Sequence, residues 1–210
     1  MTIPAAVAAI TQNRTHQSLD YQFFRAINGL AGSNRALDAF MIVCAKYAPV
    51  VFALTLIGLW LRWTYQSQRG AFMAGVSALS ALGIGQLVGA AFPRDRPYLA
   101  HTVTLLITHA PDTSFPSDHA TLAFAVGVTV WLFNRKVGAA LLLFGVVTAF
   151  ARVFVGAHYP TDVVGGALLG GIVSVAMARL VSSPAPDALL TRIFTILACW
   201  HLAAPPMHAE

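Results

Sequence analysis

A chain of 210 residues with 57% hydrophobic and only 10% charged residues, and a mean hydropathy of +0.69, lacks the composition of a water-soluble domain, where about 25% of residues are charged. Its formal charge of +5 is scattered rather than gathered into a basic block with interleaved aromatics, which argues against nucleic acid as a partner. Two cysteines, Cys44 and Cys199, without CxxC spacing argue against a disulfide framework or a cysteine metal site, leaving an all-α integral membrane protein built as one helical bundle.

The first apolar run, "IPAAVAAI" at 3–10, has no basic residue before it and is too short for a signal peptide or a span. Residues 20–30 carry Tyr21, Phe23, Phe24 and Ile27 in an amphipathic pattern, predicting an interfacial helix inside an N-terminal segment 1–35. Five apolar runs follow at 36–61, 71–92, 119–133, 137–154 and 162–181. Most approach the ~20 residues that a ~30 Å hydrocarbon layer requires, so 36–181 is predicted to be a transmembrane domain of about five helices. The run at 119–133 is the shortest, which places its polar start, from Pro116, near an interface. The run "VVGGALLGGI" has small residues at helical spacing, suited to close helix packing. The tail, 182–210, contains "DALLTRIFTILACWHLAA", too short and interrupted to be read as a sixth span.

Orientation follows from the connections. If the spans alternate, "RWTYQSQRG", "NRK", Arg179 and Arg192 fall on one side, which the positive-inside bias makes cytoplasmic. The N-terminus then lies outside, although Arg14, Arg25 and Arg35 count against that placement. The outer side also collects Arg94, Arg96, Ser117, Asp118, His119, Arg152, His158 and Asp162 from three distant segments.

In "FPSDHATLAFAVG", at 115–127, Ser117 or Asp118 suits an N-cap, and the first turn of the helix offers backbone N–H groups that attract an anion, phosphate above all. His119 stands beside it, able to hold or release a proton. The alternative is an ordinary capped helix start with an interfacial histidine. In "ARVFVGAHYPTDVVGG", His158 and Asp162 are four apart, so the carboxylate is expected to accept a hydrogen bond from one ring nitrogen and leave the other nucleophilic. Arg152 presents a planar fork suited to phosphate oxygens, the alternative being a plain salt bridge with Asp162. In "PRDRPYLAH", Pro97 biases Arg96 away from helical geometry, freeing it to turn toward the same site; Arg94 and Asp95 read equally as a solvated pair. Two histidines and an aspartate also suit zinc, yet three arginines would repel a dication and hold a phosphate, so no metal is expected.

These segments, "RP" at Arg96 and Pro97, "PSDH" at 116–119 and "ARVFVGAHYPTD" at 151–162, resemble the three-part signature of the type 2 phosphatidic acid phosphatase superfamily, written KxxxxxxRP, PSGH and SRxxxxxHxxxD. The "FPSDHAT" form is similar to its bacterial undecaprenyl-diphosphate phosphatase branch. The resemblance covers roughly 71–181. It implies that His158 is the nucleophile that forms a phosphohistidine, Asp162 its orienting partner, and His119 the acid that protonates the leaving lipid phosphate. Arg96, Arg152, Ser117 and the backbone around Asp118 would hold the phosphoryl group, with no metal or organic cofactor.

The chain departs from the signature at three places. Gly89 stands where the family has lysine, Asp118 replaces the glycine of PSGH, and Ala151 replaces a serine. Arg94, or Lys46 reaching from the first span, is the candidate for the missing charge. The expected activity is hydrolysis of undecaprenyl diphosphate to undecaprenyl phosphate at the outer face of a bacterial inner membrane, with membrane lipids the other partners. Alternatives are a phosphatase for phosphatidylglycerophosphate, phosphatidate or lipid A, a lipid-phosphate carrier, and, less favoured in so apolar a chain, a vanadate haloperoxidase.

Overall fold

A computed structural model of the chain describes residues 18–108, 110–181, 184–200 and 202–206; the run at 3–10 and Arg14 lie outside them. Every regular element among the described residues is helical: α1 (Leu19–Asn28), α2 (Arg35–Leu61), α3 (Tyr65–Ala91), α4 (Pro97–Ala100), α5 (Asp118–Phe133), α6 (Arg135–Phe154), α7 (Pro160–Val181) and α8 (Pro184–Cys199). Four of them, α2, α3, α6 and α7, are long and apolar enough to cross a membrane.

Short polar residues set the boundaries. Asn34 opens α2 by accepting from the N–H groups of Ala36 and Leu37, at 2.9 and 3.1 Å. Asn134 follows the end of α5 and caps α6 through Val137, at 3.2 Å. Each cap satisfies backbone donors that the first helical turn leaves without partners. Helix α3 starts at Tyr65, six residues before the apolar run at 71. Its early turns are polar but not wet: Gln68 is fully buried, donating to the Trp60 carbonyl at 3.0 Å and accepting from Ala204 N–H at 2.6 Å. A polar side chain with its hydrogen bonds made inside the protein lowers mean hydropathy without ending the helix.

Helix α5 is the hub, packed against α3, α6 and α7. At ~24 Å, from 1.5 Å per residue, it is short, yet it joins both ends of the bundle. A Cβ on Gly70, near the start of α3, would touch Phe133 at 3.1 Å, and one on Gly85, near its end, would touch Pro116 at 3.6 Å. The core around α5 is rich in alanine: Ala71, Ala74, Ala78 and Ala81 of α3 and Ala123 and Ala125 of α5 are buried with Phe52, Val126, Val130 and Leu141. Small side chains let helices approach closely where no water-driven force separates lipid from protein. Gly166 shows this need beside the site, because a Cβ there would lie 2.5 Å from the Ser117 carbonyl oxygen and 2.9 Å from Thr121 Oγ1. That contact brings the start of α7 against the start of α5.

Helix α1 packs on α6 and α7. Its inner edge carries buried Phe24 and Asn28, whereas Leu19 and Phe23 are exposed, as expected of a helix lying at an interface. Helix α8 starts three residues after the end of α7, and Phe194 packs among Trp60, Tyr65 and Phe72 while Ala204 returns to Gln68. Both its ends therefore sit at the α2–α3 end of the bundle, so α8 lies across that end. Cys44 is buried, Cys199 is exposed, and both are free thiols.

Candidate active site

The opposite end of the bundle gathers the chemistry. There α3 ends, α5 and α7 begin, α6 ends, and the segments 92–117 and 155–159 cross over them. Asn28 of α1 ties these segments together: its side-chain amide donates to the carbonyls of Thr104 and Phe154, both at 2.8 Å, and its Oδ1 accepts from Thr104 N–H at 3.0 Å. Gly156 takes φ +86°, and a Cβ there would stand 2.8 Å from the Thr104 carbonyl, so the tight exit from α6 requires glycine.

That turn delivers His158, only 2% exposed, into the protein. Its Nδ1 lies 2.9 Å from the backbone carbonyl of Ser114, an acceptor only, so the proton resides on Nδ1. Nε2 is then the lone-pair nitrogen, and it faces Arg96 Nη1 at 3.1 Å. The spacing of four between His158 and Asp162 led us to expect a direct hydrogen bond, and here the structure differs. Asp162 Oδ2 is 3.8 Å from Nδ1 and instead accepts from Ser114 Oγ at 2.5 Å and Tyr159 N–H at 2.8 Å. Asp162 thus orients the ring through Ser114, which no motif reading singled out.

Burial foremost, with the charges of Arg152 and Arg96, pushes the His158 imidazole from 6.5 down to about 4. The ring is neutral throughout the physiological range. Because the folded value lies below the unfolded one, the stability contributed by neutral His158 is complete above about pH 6.5 and is lost as pH falls toward 4. In detergent, the thermal midpoint is expected to fall more steeply between pH 6.5 and 4 for the wild type than for His158→Asn. Parallel curves would contradict the buried, neutral state of this histidine.

Arg152, on the last turn of α6, is 2% exposed. Its Nη1 makes a long contact, 3.4 Å, with the Ala45 carbonyl, while Nε and Nη2 are buried without a hydrogen-bond partner among the described residues. Ser117 is the N-cap of α5, but its hydroxyl caps nothing and is likewise buried without a partner among the described residues. Buried donors left unused are costly, and they are rare unless a ligand satisfies them. Arg96 is 4% exposed and donates through Nε to Asp112 at 2.6 Å and through Nη1 to the Ala157 carbonyl at 3.1 Å. His119 is half-buried on the first turn of α5. Asp118, beside it, turns toward α3, where its carboxylate accepts from Gln86 Nε2 at 3.1 and 3.2 Å.

Two expected phosphate contacts are not assembled. Arg94 bonds Asp162 Oδ1 and Thr161 Oγ1 at 2.7 Å and Asp20 Oδ2 at 2.6 Å, and it lies 4.0 Å above the Tyr159 ring. With two carboxylates already around it, its guanidinium braces Asp162 instead of standing open to a phosphate. Lys46 is exposed on α2, 5.4 Å from the Tyr47 ring, consistent with an ammonium that snorkels to the interface. The structure also explains Gly89: a Cβ there would lie 2.9 Å from Thr113 Cγ2 and 3.0 Å from the Phe115 carbonyl, so the 113–115 segment occupies the space beside it.

Among the described residues, no three His, Cys, Asp or Glu side chains converge as a metal centre requires. This end of the bundle brings together two buried arginines, a hydroxyl without a partner among the described residues, a helix N-terminus and a neutral histidine, groups whose chemistry suits an anion.

Residues 70–184 match the PAP2 superfamily. The chain is 40% identical over 161 residues to the undecaprenyl-diphosphatase BcrC of Bacillus subtilis (strain 168), covering 77% of this chain and 83% of that one. It is 32% identical to the putative undecaprenyl-diphosphatase YbjG of Escherichia coli (strain K12), over 79% and 83% of the two chains. The crystal structure of Aquifex aeolicus LpxE superposes with a TM-score of 0.68 at 24% identity, over 78% of this chain and 97% of that one, a likeness of fold.

Proposed function

The chain belongs to the PAP2 superfamily, and on that premise we propose that it hydrolyses undecaprenyl diphosphate to undecaprenyl phosphate and inorganic phosphate through a phosphohistidine at His158. The observation that carries this reading is a pair of buried groups with donors unused among the described residues, Arg152 and Ser117, at the same end of the bundle as a buried histidine whose tautomer leaves Nε2 as a nucleophile. Binding alone needs only the arginines; a fixed, neutral imidazole serves group transfer.

In the proposed reaction, His158 Nε2 attacks the terminal phosphorus, and the bond from that phosphorus to the bridging oxygen breaks. His119 donates a proton to the departing lipid phosphate. Arg152, Ser117 and the N–H groups at the start of α5 neutralise the charge on the transferred oxygens, and Arg96 turns from Nε2 to join them. Water, deprotonated by His119, then attacks the phosphohistidine and releases phosphate, regenerating neutral His158. Every proton in the cycle is handled by the chain's own groups, which supports turnover without a metal.

The site lies at the end of the bundle opposite the positively charged α2–α3 and α5–α6 connections. By the positive-inside bias this end faces the outside of a bacterial cytoplasmic membrane. There a polyprenyl chain stays in lipid while its headgroup enters the polar pocket. The test is phosphate release by purified protein with chelator present, from undecaprenyl diphosphate beside phosphatidylglycerophosphate, phosphatidate and lipid A. Release fastest from undecaprenyl diphosphate and insensitive to chelator is expected. A faster monoester substrate would reassign the specificity, and stoichiometric binding with no release from any lipid would make the protein a carrier.

A further inference from the structure

Helix α1 contributes a residue that the proposed chemistry does not name. Asp20 lies on its first turn with a side chain only 12% exposed. Its Oδ2 accepts from Arg94 Nη2 and from Thr161 Oγ1, each at 2.6 Å, and its Oδ1 accepts from Thr161 N–H at 3.0 Å. Arg94 passes the connection on, since its other terminal nitrogen holds Asp162 Oδ1 at 2.7 Å. Asp162 holds Ser114 Oγ at 2.5 Å, and the Ser114 carbonyl holds His158 Nδ1 at 2.9 Å. An unbroken chain of hydrogen bonds therefore runs from α1 to the histidine.

We infer that Asp20 is a positioning residue for the reaction: it fixes Arg94 and Thr161 so that Asp162, through Ser114, holds the His158 ring in its attacking orientation. The inference rests on the reading of His158 as nucleophile. The physical reason is geometric. Arg94 crosses between two carboxylates on different helices; without Asp20 its Nη2 loses its carboxylate partner and Thr161 loses both bonds to α1, leaving Asp162, Thr161 and the Tyr159 ring to set the guanidinium's direction. Asp20 also accepts the Thr161 N–H, one of the donors that the first turn of α7 leaves without a helical partner. Two turns further along α1, Asn28 secures the neighbouring strap at Thr104 and Phe154. Leu19 and Phe23 of α1 are exposed. The helix thus grips the site with one edge and offers the other to lipid.

The test compares Asp20→Asn with wild type and His158→Ala in one detergent–lipid mixture, using undecaprenyl diphosphate. Asp20→Asn is expected to lower kcat about 10- to 100-fold, the scale of a small misplacement of reacting groups, with KM within about twofold. In single-turnover assays in an Asp162→Asn background, adding Asp20→Asn is expected to change the rate by less than about twofold, because residues that act through one another are not additive. An Asp20→Asn enzyme with unchanged kcat, a loss confined to KM, or equal losses in both backgrounds overturns the proposal. If Asp20→Asn does not fold, Asp20→Glu, which keeps the charge, is expected to fold and retain at least about a third of wild-type kcat; a folded Glu variant below a tenth overturns it. A wild type that releases no phosphate, or a His158→Ala variant that matches it, defeats the nucleophile reading instead. An active wild type with an equally active Asp20→Asn defeats only the role of Asp20.

Discussion

His158→Ala is expected to reduce phosphate release from undecaprenyl diphosphate by roughly 10⁴-fold or more, the loss seen when a covalent nucleophile is removed and only binding and charge stabilisation remain. The size follows from how much structure is committed to this one ring. It is 2% exposed, its Nδ1 proton is spoken for by the Ser114 carbonyl, and its Nε2 faces Arg96. No other described histidine shares that geometry: His119 is half-buried on α5, and His101 is stacked on Tyr21 with ring centroids 3.9 Å apart. Substrate binding is expected to survive, because the arginines and the hydrophobic surround are untouched. A His158→Ala protein that binds labelled substrate yet does not turn over separates the nucleophile from the binding groups. Turnover within tenfold of wild type would mean that the phosphoryl group goes directly to water.

Arg152→Lys is expected to cost about 10²- to 10³-fold in kcat/KM, and Arg152→Ala at least as much, by loss of charge stabilisation in the transition state. The lysine variant is the informative one, because it keeps the charge. Arg152 has two buried nitrogens, Nε and Nη2, without partners among the described residues, a planar fork matched to two phosphoryl oxygens. An ammonium is a compact, strongly hydrated point charge that cannot reproduce the fork. Steady-state kinetics on folded protein provide the check. Near-wild-type activity in Arg152→Lys would show that charge alone is used there.

The apolar periodicity read from the chain placed the helices well because lipid leaves few alternatives: segments expected at 36–61, 119–133, 137–154 and 162–181 became Arg35–Leu61, Asp118–Phe133, Arg135–Phe154 and Pro160–Val181. The start of α3 was misplaced for a specific reason, since Gln68 and its neighbours are polar by composition while Gln68 is dry and fully bonded in the fold. The polar residues also gathered at one end as the alternation of spans implied. What could not be read is which of them touch. The His158–Asp162 spacing pointed to a direct bond, but Ser114 stands between them, and it does so through a backbone carbonyl that no side-chain motif encodes. Arg94 looked like a phosphate ligand because its two partners, Asp20 and Asp162, are 74 and 68 residues away in sequence. Asp20 lies in an interfacial helix where a carboxylate looks like a solvated face. The packing of α1 on α6 and α7 is what turns it inward.

The central claim is that the terminal phosphoryl group passes through His158. The most direct measurement is rapid-quench labelling with undecaprenyl diphosphate radiolabelled in its terminal phosphate, followed by peptide mapping under alkaline conditions that preserve phosphohistidine. The account predicts transient, acid-labile label on the peptide carrying His158, formed no more slowly than phosphate appears and absent from His158→Ala. Full turnover with no label on the protein at any time, or label on a different residue, would contradict it.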